Sequence, residues 1–288
     1  MHPPDRTTTV AVVTTFHPEA GLADRLAPVL AQVERVLIVD NASAPSNQGE
    51  ARALVASGRV DAIWNSANLG LAGALDQGLA WADARGAAWA LLLDQDSRPL
   101  ATIVEEAARV VAAAGGARVA AVGAGMTDRD PGRRPGDDGW AEERAVIASG
   151  TLIAVEAWKA IGGFRRDFFV DYVDLEFCLR ARSAGYRVLR SLHPTIHHAI
   201  GHPERRRLMW RMVTTTHHDR DRRRSITRNR IVVWRTYWRR EPRFVAADAW
   251  AFAKELVKLT FVEADRRAKV RAVVSGVRDG LRAPLGWP

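Results

Sequence analysis

Four short apolar runs, each followed by a stretch with helical spacing, constrain this chain most. Val10 to Phe16, Arg35 to Val39, Val60 to Trp64 and Trp89 to Leu93 are rich in Val, Ile and Leu and carry no polar alternation. Such runs read as strands buried on both faces, as in parallel sheets. Gly21 to Val33, Gln48 to Ser57, Leu71 to Arg85 and Leu100 to Ala114 read as the helices between and after them. Leu71, Leu75 and Leu79 recur at the interval that gives a helix one apolar face. The β-α-β-α rhythm predicts a doubly wound α/β domain with a mostly parallel sheet. Farther on, Val146 to Val155 and Arg187 to Leu192 are expected as strands, and Glu156 to Ala160 and Asp171 to Ala184 as helices. Asp128 to Asp138, dense in Gly, Pro, Arg and Asp, reads as a loop.

The charge divides the chain. Residues 204–288 hold 22 Lys and Arg against 9 Asp and Glu, whereas residues 1–203 hold 20 against 24. We therefore expect a main domain over 1–203 and a basic, helical C-terminal region over 204–288. Within that region Val245 to Leu259 and Arg266 to Val277 are amphipathic. Such asymmetry points the C-terminal region at an anionic partner: phosphates, nucleic acid or a membrane surface. The single cysteine, Cys178, excludes an internal disulfide. The opening residues lack the basic-then-apolar pattern of a signal peptide, and no run of about 18 apolar residues suggests a membrane span. A cytoplasmic protein is expected, peripheral at most on the inner face of the membrane.

The chemistry-bearing residues cluster at strand ends. Asp94-Gln95-Asp96 closes the run Trp89 to Leu93, and residues i and i+2 of an extended chain project to one side. Acid pairs there suit a hard divalent cation, which prefers oxygen ligands. Asp40-Asn41-Ala42-Ser43 follows the second run, where an open α/β sheet binds its ligands. The same residues also make turns and caps. Asn68 precedes Leu69-Gly70 and reads either as the N-cap of the next helix or as a ligand contact. Asp171 and Asp174 lie among bulky apolar residues and, on one helix, would share a face. Either is a candidate general base. Glu176, four before Arg180, reads as half of a surface ion pair. His193, His197, His198 and His202 are candidate metal ligands, although their spacing matches no zinc motif. Nine arginines between Arg220 and Arg240 alternate with Trp and Tyr. Neither a Gly-x-Gly-x-x-Gly turn nor a phosphate-binding P-loop is present, so a nucleotide would need its phosphates neutralised by a cation and cationic side chains.

Taken in order, these motifs resemble a family-2 glycosyltransferase with the GT-A fold, most closely its bacterial rhamnosyltransferase-like branch. The matching stretches are Val39 to Ser43, Asn68 to Gly70, Leu93 to Ser97, Ser149 to Thr151, Phe169 to Asp174, His198 to Gly201 and His218 through Asn229. The resemblance implies that Asp40 and Thr15 bind the nucleotide, and that Asn68, Asp94, Gln95, Arg228 and Asn229 contact the nucleotide sugar. It implies Asp96 and His198 as ligands of Mg²⁺ or Mn²⁺, and Asp174 as catalytic base. Val173 stands where the family has its first acid, with Asp171 as the compensating group. The implied reaction is inverting transfer, with L-rhamnose from dTDP-rhamnose as the leading donor and a UDP donor of galactofuranose as the alternative. The implied acceptor is a cell-surface glycan or a polyprenyl-diphosphate-linked saccharide, met at the inner membrane surface. No nucleic-acid partner is expected. The rival from another class, an Arg-rich nucleic-acid-binding protein, leaves Asp94, Asp96 and Asp174 unexplained.

Overall fold

The computed structural model describes residues 2–115, 118–126, 139–197, 204–208, 211–215, 220–262 and 266–285. The chain divides into two compact units. The first comprises Met1–Phe169 and Val173–His198, the second Val170–Tyr172 and Ala199–Pro288. The three-residue segment Val170–Tyr172, expected in the main domain, falls with the C-terminal unit.

The first unit is built on a nine-stranded sheet. β1 (Thr9–Thr15), β2 (Val36–Asp40), β3 (Val60–Trp64) and β4 (Trp89–Asp94) are the four apolar runs. They are followed by β5 (Arg98–Pro99), β6 (Val119–Met126), β7 (Trp140–Glu142), β8 (Thr151–Ala154) and β9 (Arg187–His197). The order is β3-β2-β1-β4-β8-β6-β9-β5, with β7 also on β9. β3, β2, β1 and β4 are parallel, β8 runs antiparallel to both β4 and β6, and β6 is parallel to β9. The helices are α1 (Leu22–Leu30), α2 (Gly49–Ala56), α3 (Gly70–Ala84), α4 (Ile103–Ala113), α5 (Val155–Ile161) and α6 (Val173–Ser183). Val10 to Val13, Val36 to Val39 and Trp89 to Leu93 are all but sealed from solvent, as strands covered on both faces must be. Gly78 lets α3 lie directly on β1, since a Cβ there would overlap the methyls of Val12.

Several expectations are corrected. β6 was not anticipated, because Val-Ala-Ala-Val-Gly-Ala-Gly-Met has few β-branched residues; it is a strand because β8 and β9 flank it. β8 starts at Thr151 rather than Val146, since the chain turns at Gly150 (φ +79°). β9 continues past Leu192 to His197 because Gly125 and Met126 pair with Pro194 and Ile196. α6 starts at Val173, and Asp171 and Tyr172 before it are left-handed, with φ of 61° and 65°. Asp171 and Asp174 therefore do not share a helical face. Glu176 and Arg180 do pair, at 3.0 Å, but Glu176 is only 2% exposed and Arg180 also donates to the carbonyl of Gly163. The pair is an internal brace of α6 rather than a surface ornament.

The second unit comprises a hairpin, β10 (Glu204–Leu208) with β11 (Arg211–Thr215), and three helices: α7 (Arg220–Tyr237), α8 (Pro242–Val262) and α9 (Arg266–Arg282). α9 lies closely on α7 through Gly276 and Gly280. A Cβ at Gly276 would stand 2.6 Å from the Arg224 carbonyl oxygen, and one at Gly280 would stand 2.7 Å from that of Arg228. Phe252, Leu259 and Val273 form a small core with Trp234, Leu256 and Val277.

Replacing Gly276 by Leu should overpack this crossing and destabilise the unit by about 1–3 kcal/mol. Urea denaturation checks it, as a lowered midpoint with an unchanged slope.

Candidate functional site

The sheet register collects the predicted acids on one edge. Thr15 pairs with Asp40 and Thr14 with Asp94, so the carboxyl ends of β1, β2 and β4 are level. β8 runs the other way, and Thr151 near its start pairs with Leu92. The turn before β8 therefore lies where β4 ends.

The residues after β4 form a tight turn. Ser97 N–H donates to the Asp94 carbonyl (3.1 Å) and Asp94 N–H to Ser97 Oγ (2.9 Å). Gln95 ties this turn to β1: its Oε1 accepts from Phe16 N–H (2.7 Å), and its carbonyl accepts from Arg25 Nε (2.8 Å). Asp96, at the tip, is exposed and has no hydrogen-bond or ion-pair partner among the described residues. Asp94 is half-buried.

From this turn a chain of hydrogen bonds runs to Asp174. Buried Ser97 Oγ lies 2.6 Å from buried Ser149 Oγ. Gly150 N–H donates to the Leu92 carbonyl (2.8 Å), clamping the Ala148-Ser149-Gly150 turn to β4. Ala148 N–H donates to Asp174 Oδ2 (3.1 Å), and Leu175 N–H to Asp174 Oδ1 (2.8 Å). Asp174 is half-buried in the first turn of α6, where the helix dipole favours a carboxylate. The first turn of α6 thus presents one carboxylate beside a turn bearing two more.

The neighbouring loop is held from within. The Asp40 side chain is fully buried. Its Oδ2 accepts from Thr15 Oγ1 (2.9 Å), and its Oδ1 accepts from Ser43 N–H (2.9 Å) and Gln48 Nε2 (3.1 Å). In this structure Asp40 and Thr15 therefore organise the Asn41–Ser43 turn, and the turn reading of that motif accounts for all three donors. Asn41, not singled out from the sequence, clasps the next motif. Its Nδ2 donates to the Gly70 carbonyl and its Oδ1 accepts from Leu69 N–H. Asn68 is not the N-cap, which is Leu69; instead its Oδ1 accepts from Gly70 N–H at 2.9 Å. Gly70 needs to be glycine, with φ +73° and the Phe169 backbone where a Cβ would lie. Four apolar side chains are exposed on these turns: Phe16, Leu69, Ile147 and Phe169.

The histidines separate. His193 Nδ1 lies 3.0 Å from Glu106 Oε1 and 3.2 Å from Arg109, in a polar cluster with Ser191, and is not beside the acid pair. There Glu106 loses solvation, yet Arg109, Ser191 and His193 more than offset this and hold its carboxyl below the usual range. His197 pairs in register with Arg98, two residues from Asp96, because β5 runs along the end of β9. His198 and His202 lie outside the described residues. Among the described residues no group of three His, Cys, Asp or Glu could hold a metal. Asp94 and Asp96 still offer the oxygen chemistry a hard cation takes.

The predicted residues of the second unit bind the Val170–Tyr172 segment. Arg222 makes two 3.0 Å bonds to the Asp171 carboxylate, which removes Asp171 as a free base. Asn229, 1% exposed, donates to the carbonyls of Val170 and Asp171 (both 3.0 Å) and accepts from Arg228 (2.8 Å). Arg230 stands over the Tyr172 ring and bonds its hydroxyl, and burial holds that phenol well above its ordinary value. Arg228 borders a cleft of about 440 Å³ with Asp221, Arg224, Ser225 and Asp279.

The model of glycosyl transferase family 2 matches residues 10–179. A dTDP-rhamnosyl transferase, RfbF of Shigella flexneri, is 40% identical over 58 residues. That match spans 19% of the chain and 19% of the relative. Among solved structures, the mannosyltransferase PcManGT of Pyrobaculum calidifontis, in complex with GDP-Man and Mn²⁺, superposes with a TM-score of 0.60 at 16% identity. It covers 98% of this chain and 90% of that one. GalNAc-T7 with UDP, GalNAc and Mn²⁺ gives 0.60 at 12% identity, covering 92% and 54%. TarS 1–349 of S. aureus gives 0.53 at 12%, covering 94% and 71%. At these identities the likeness is one of fold, an α/β fold of the GT-A kind.

Two substitutions separate scaffold from tip. Asn41→Ala leaves buried partners unpaired and should cost about 1–3 kcal/mol. Asp96→Ala should leave stability within about 0.5 kcal/mol of the parent. Thermal and urea unfolding of both variants check this.

Proposed function

The chain belongs to glycosyl transferase family 2, and on that premise we propose that it is a metal-dependent, inverting transferase moving L-rhamnose from dTDP-rhamnose. The observation that carries this reading is the hydrogen-bonded path from the Asp94–Ser97 turn through Ser149 and Ala148 to Asp174. It joins a carboxylate turn fit for a cation-bound diphosphate to a carboxylate fit to take a proton. The rhamnosyl donor is supported by the RfbF match, and the divalent cation by the Mn²⁺ bound in two structural neighbours.

An acceptor hydroxyl ionises far above neutral pH, so its attack on the anomeric carbon needs a base in the transition state. Asp174 takes that proton while its backbone donors keep the carboxylate in place. As the new bond to the anomeric carbon forms, the bond to the diphosphate oxygen breaks, and one displacement inverts the centre. When bound, Mg²⁺ or Mn²⁺ held by Asp96 with Asp94 and His198 would neutralise the charge of the departing diphosphate. Phe16 and Leu69 offer apolar surface to the flat base and Phe169 to a sugar face, with Asp40, Thr15 and Gln95 shaping the floor beneath. Arg228 is assigned to the diphosphate by its motif, and Asn229 to holding the Val170–Tyr172 segment rather than to direct contact with the donor. Asp171, paired with Arg222, is assigned the same positioning duty. The acceptor is a glycan carried on a polyprenyl diphosphate at the inner membrane face.

Asp174→Asn should retain donor binding and lose turnover by roughly 10²–10⁴-fold. Full activity in that variant would refute the assignment. In a thermal-shift panel of dTDP-rhamnose, UDP-galactofuranose, UDP-glucose and GDP-mannose, dTDP-rhamnose should stabilise the protein with Mn²⁺ and not with EDTA. Asp96→Ala should abolish the metal-dependent part.

A further inference from the structure

Among the described residues, the exposed large apolar side chains fall into two groups. Four sit on the strand-end turns described above, and seven belong to the helical unit. The second group is ordered. On α9, Val270, Val274 and Leu281 lie within about 40° of one another around the helix axis. They are 39%, 62% and 57% exposed. The opposite side of α9 is spent: Gly276 and Gly280 abut α7, and Val273 joins the small core. The aliphatic stripe therefore remains uncovered because the helix is already anchored on its other side.

Beside the stripe, about 80° around the axis, stand Arg271, Arg278 and Arg282. All three are exposed and have no hydrogen-bond or ion-pair partner among the described residues. The only acid within α9, Asp279, faces α7 and is bonded to Arg224 at 2.6 Å. Three residues past the helix end, Leu285 lines an apolar cleft of about 440 Å³ with Trp234, Arg235, Trp238 and Val245. Trp238 is 55% exposed and carries the Arg239 guanidinium against its ring. The pattern is aliphatic side chains, a bordering row of unpaired arginines, and an indole at one end.

We propose that this face of α9, continued through Leu285 to Trp238, docks the protein on an anionic lipid surface. The occupant follows from charge and shape. A row of exposed arginines, whose one acidic neighbour on the helix, Asp279, is already bonded to Arg224, complements a surface of negative charge, and a convex stripe of aliphatics suits the boundary between headgroups and acyl chains. No helix is long and apolar enough to cross a membrane among the described residues, so the binding is peripheral. The inference deepens the reading that the acceptor is carried by lipid, and it is tested without any sugar or nucleotide.

The experiment is sedimentation of the full chain with vesicles of phosphatidylcholine alone and of equal parts phosphatidylcholine and phosphatidylglycerol. Partition onto the mixed vesicles alone is expected. Arg271→Gln/Arg278→Gln/Arg282→Gln should weaken it on the order of 100-fold, at about 1 kcal/mol per cation. Val274→Glu/Leu281→Glu should abolish it, with the circular dichroism of the parent retained. No partition onto either vesicle, or partition unmoved by both variants, overturns the proposal. So does a dimer in light scattering that Val274→Glu/Leu281→Glu converts to monomer without lipid binding, which would make the face a contact between copies. Donor turnover on a soluble acceptor is measured alongside. Its loss in the parent with vesicle binding intact counts against the transferase reading alone, and the reverse result against docking alone.

Discussion

One backbone hydrogen bond, from Gly150 N–H to the Leu92 carbonyl, sets the geometry on which the candidate site depends. It fixes the start of β8 against the end of β4. Had β8 run parallel to β4, its first residue would lie at the far edge of the sheet, a strand length away. Because it is antiparallel, Ser149 meets Ser97 and Ala148 reaches Asp174. The requirement at Gly150 is steric as well. A Cβ there would crowd Ala124 and Ile196, and φ is positive. A loop is thereby held with the accuracy of a strand, which is what positions catalytic groups well.

The helical unit shows how a basic sequence can be internally balanced. Arg222 binds Asp171, Arg223 and Arg230 bind Glu255, Arg224 binds Asp279, and Arg235 donates to the carbonyls of Gly280 and Ala283. Arg230 is 9% exposed; burial opposes its charge, and Tyr172 and Asp248 outweigh that cost. These arginines of α7 therefore serve as ties within the unit. Two of them, Arg222 and Arg230, hold Asp171 and Tyr172 in their left-handed path immediately before α6. The two left-handed residues, Asp171 and Tyr172, each cost backbone energy that only such a clasp would repay.

Much of this was legible beforehand, for identifiable reasons. Runs buried on both faces cannot hide their apolar monotony, so β1 to β4 read directly. The acids after β4 had no core to enter, which marked Asp94 and Asp96, whereas Asp40 was marked only by its place at the end of β2 and is in fact buried. Other features were not legible. β6 looks like any small-residue stretch until its neighbours pair with it. Asp171 looked helical because sequence spacing cannot reveal a positive φ at a non-glycine residue. His193 looked like a ligand until Glu106 and Arg109, more than 80 positions earlier, were found beside it. Asn229 looked like a ligand contact, yet both of its amide hydrogens serve the Val170–Tyr172 segment.

The sequence by itself determined the βαβα order, the place of each carboxylate relative to its strand, and the concentration of positive charge in the last third. These are local properties, set by side-chain pattern over a few residues. The tertiary structure alone decided the direction of β8, the burial of Asp40, and which arginines of the tail are paired and which face solvent. Each of these depends on partners distant in the chain. A charge or a strand has no fixed role until packing decides what stands opposite it.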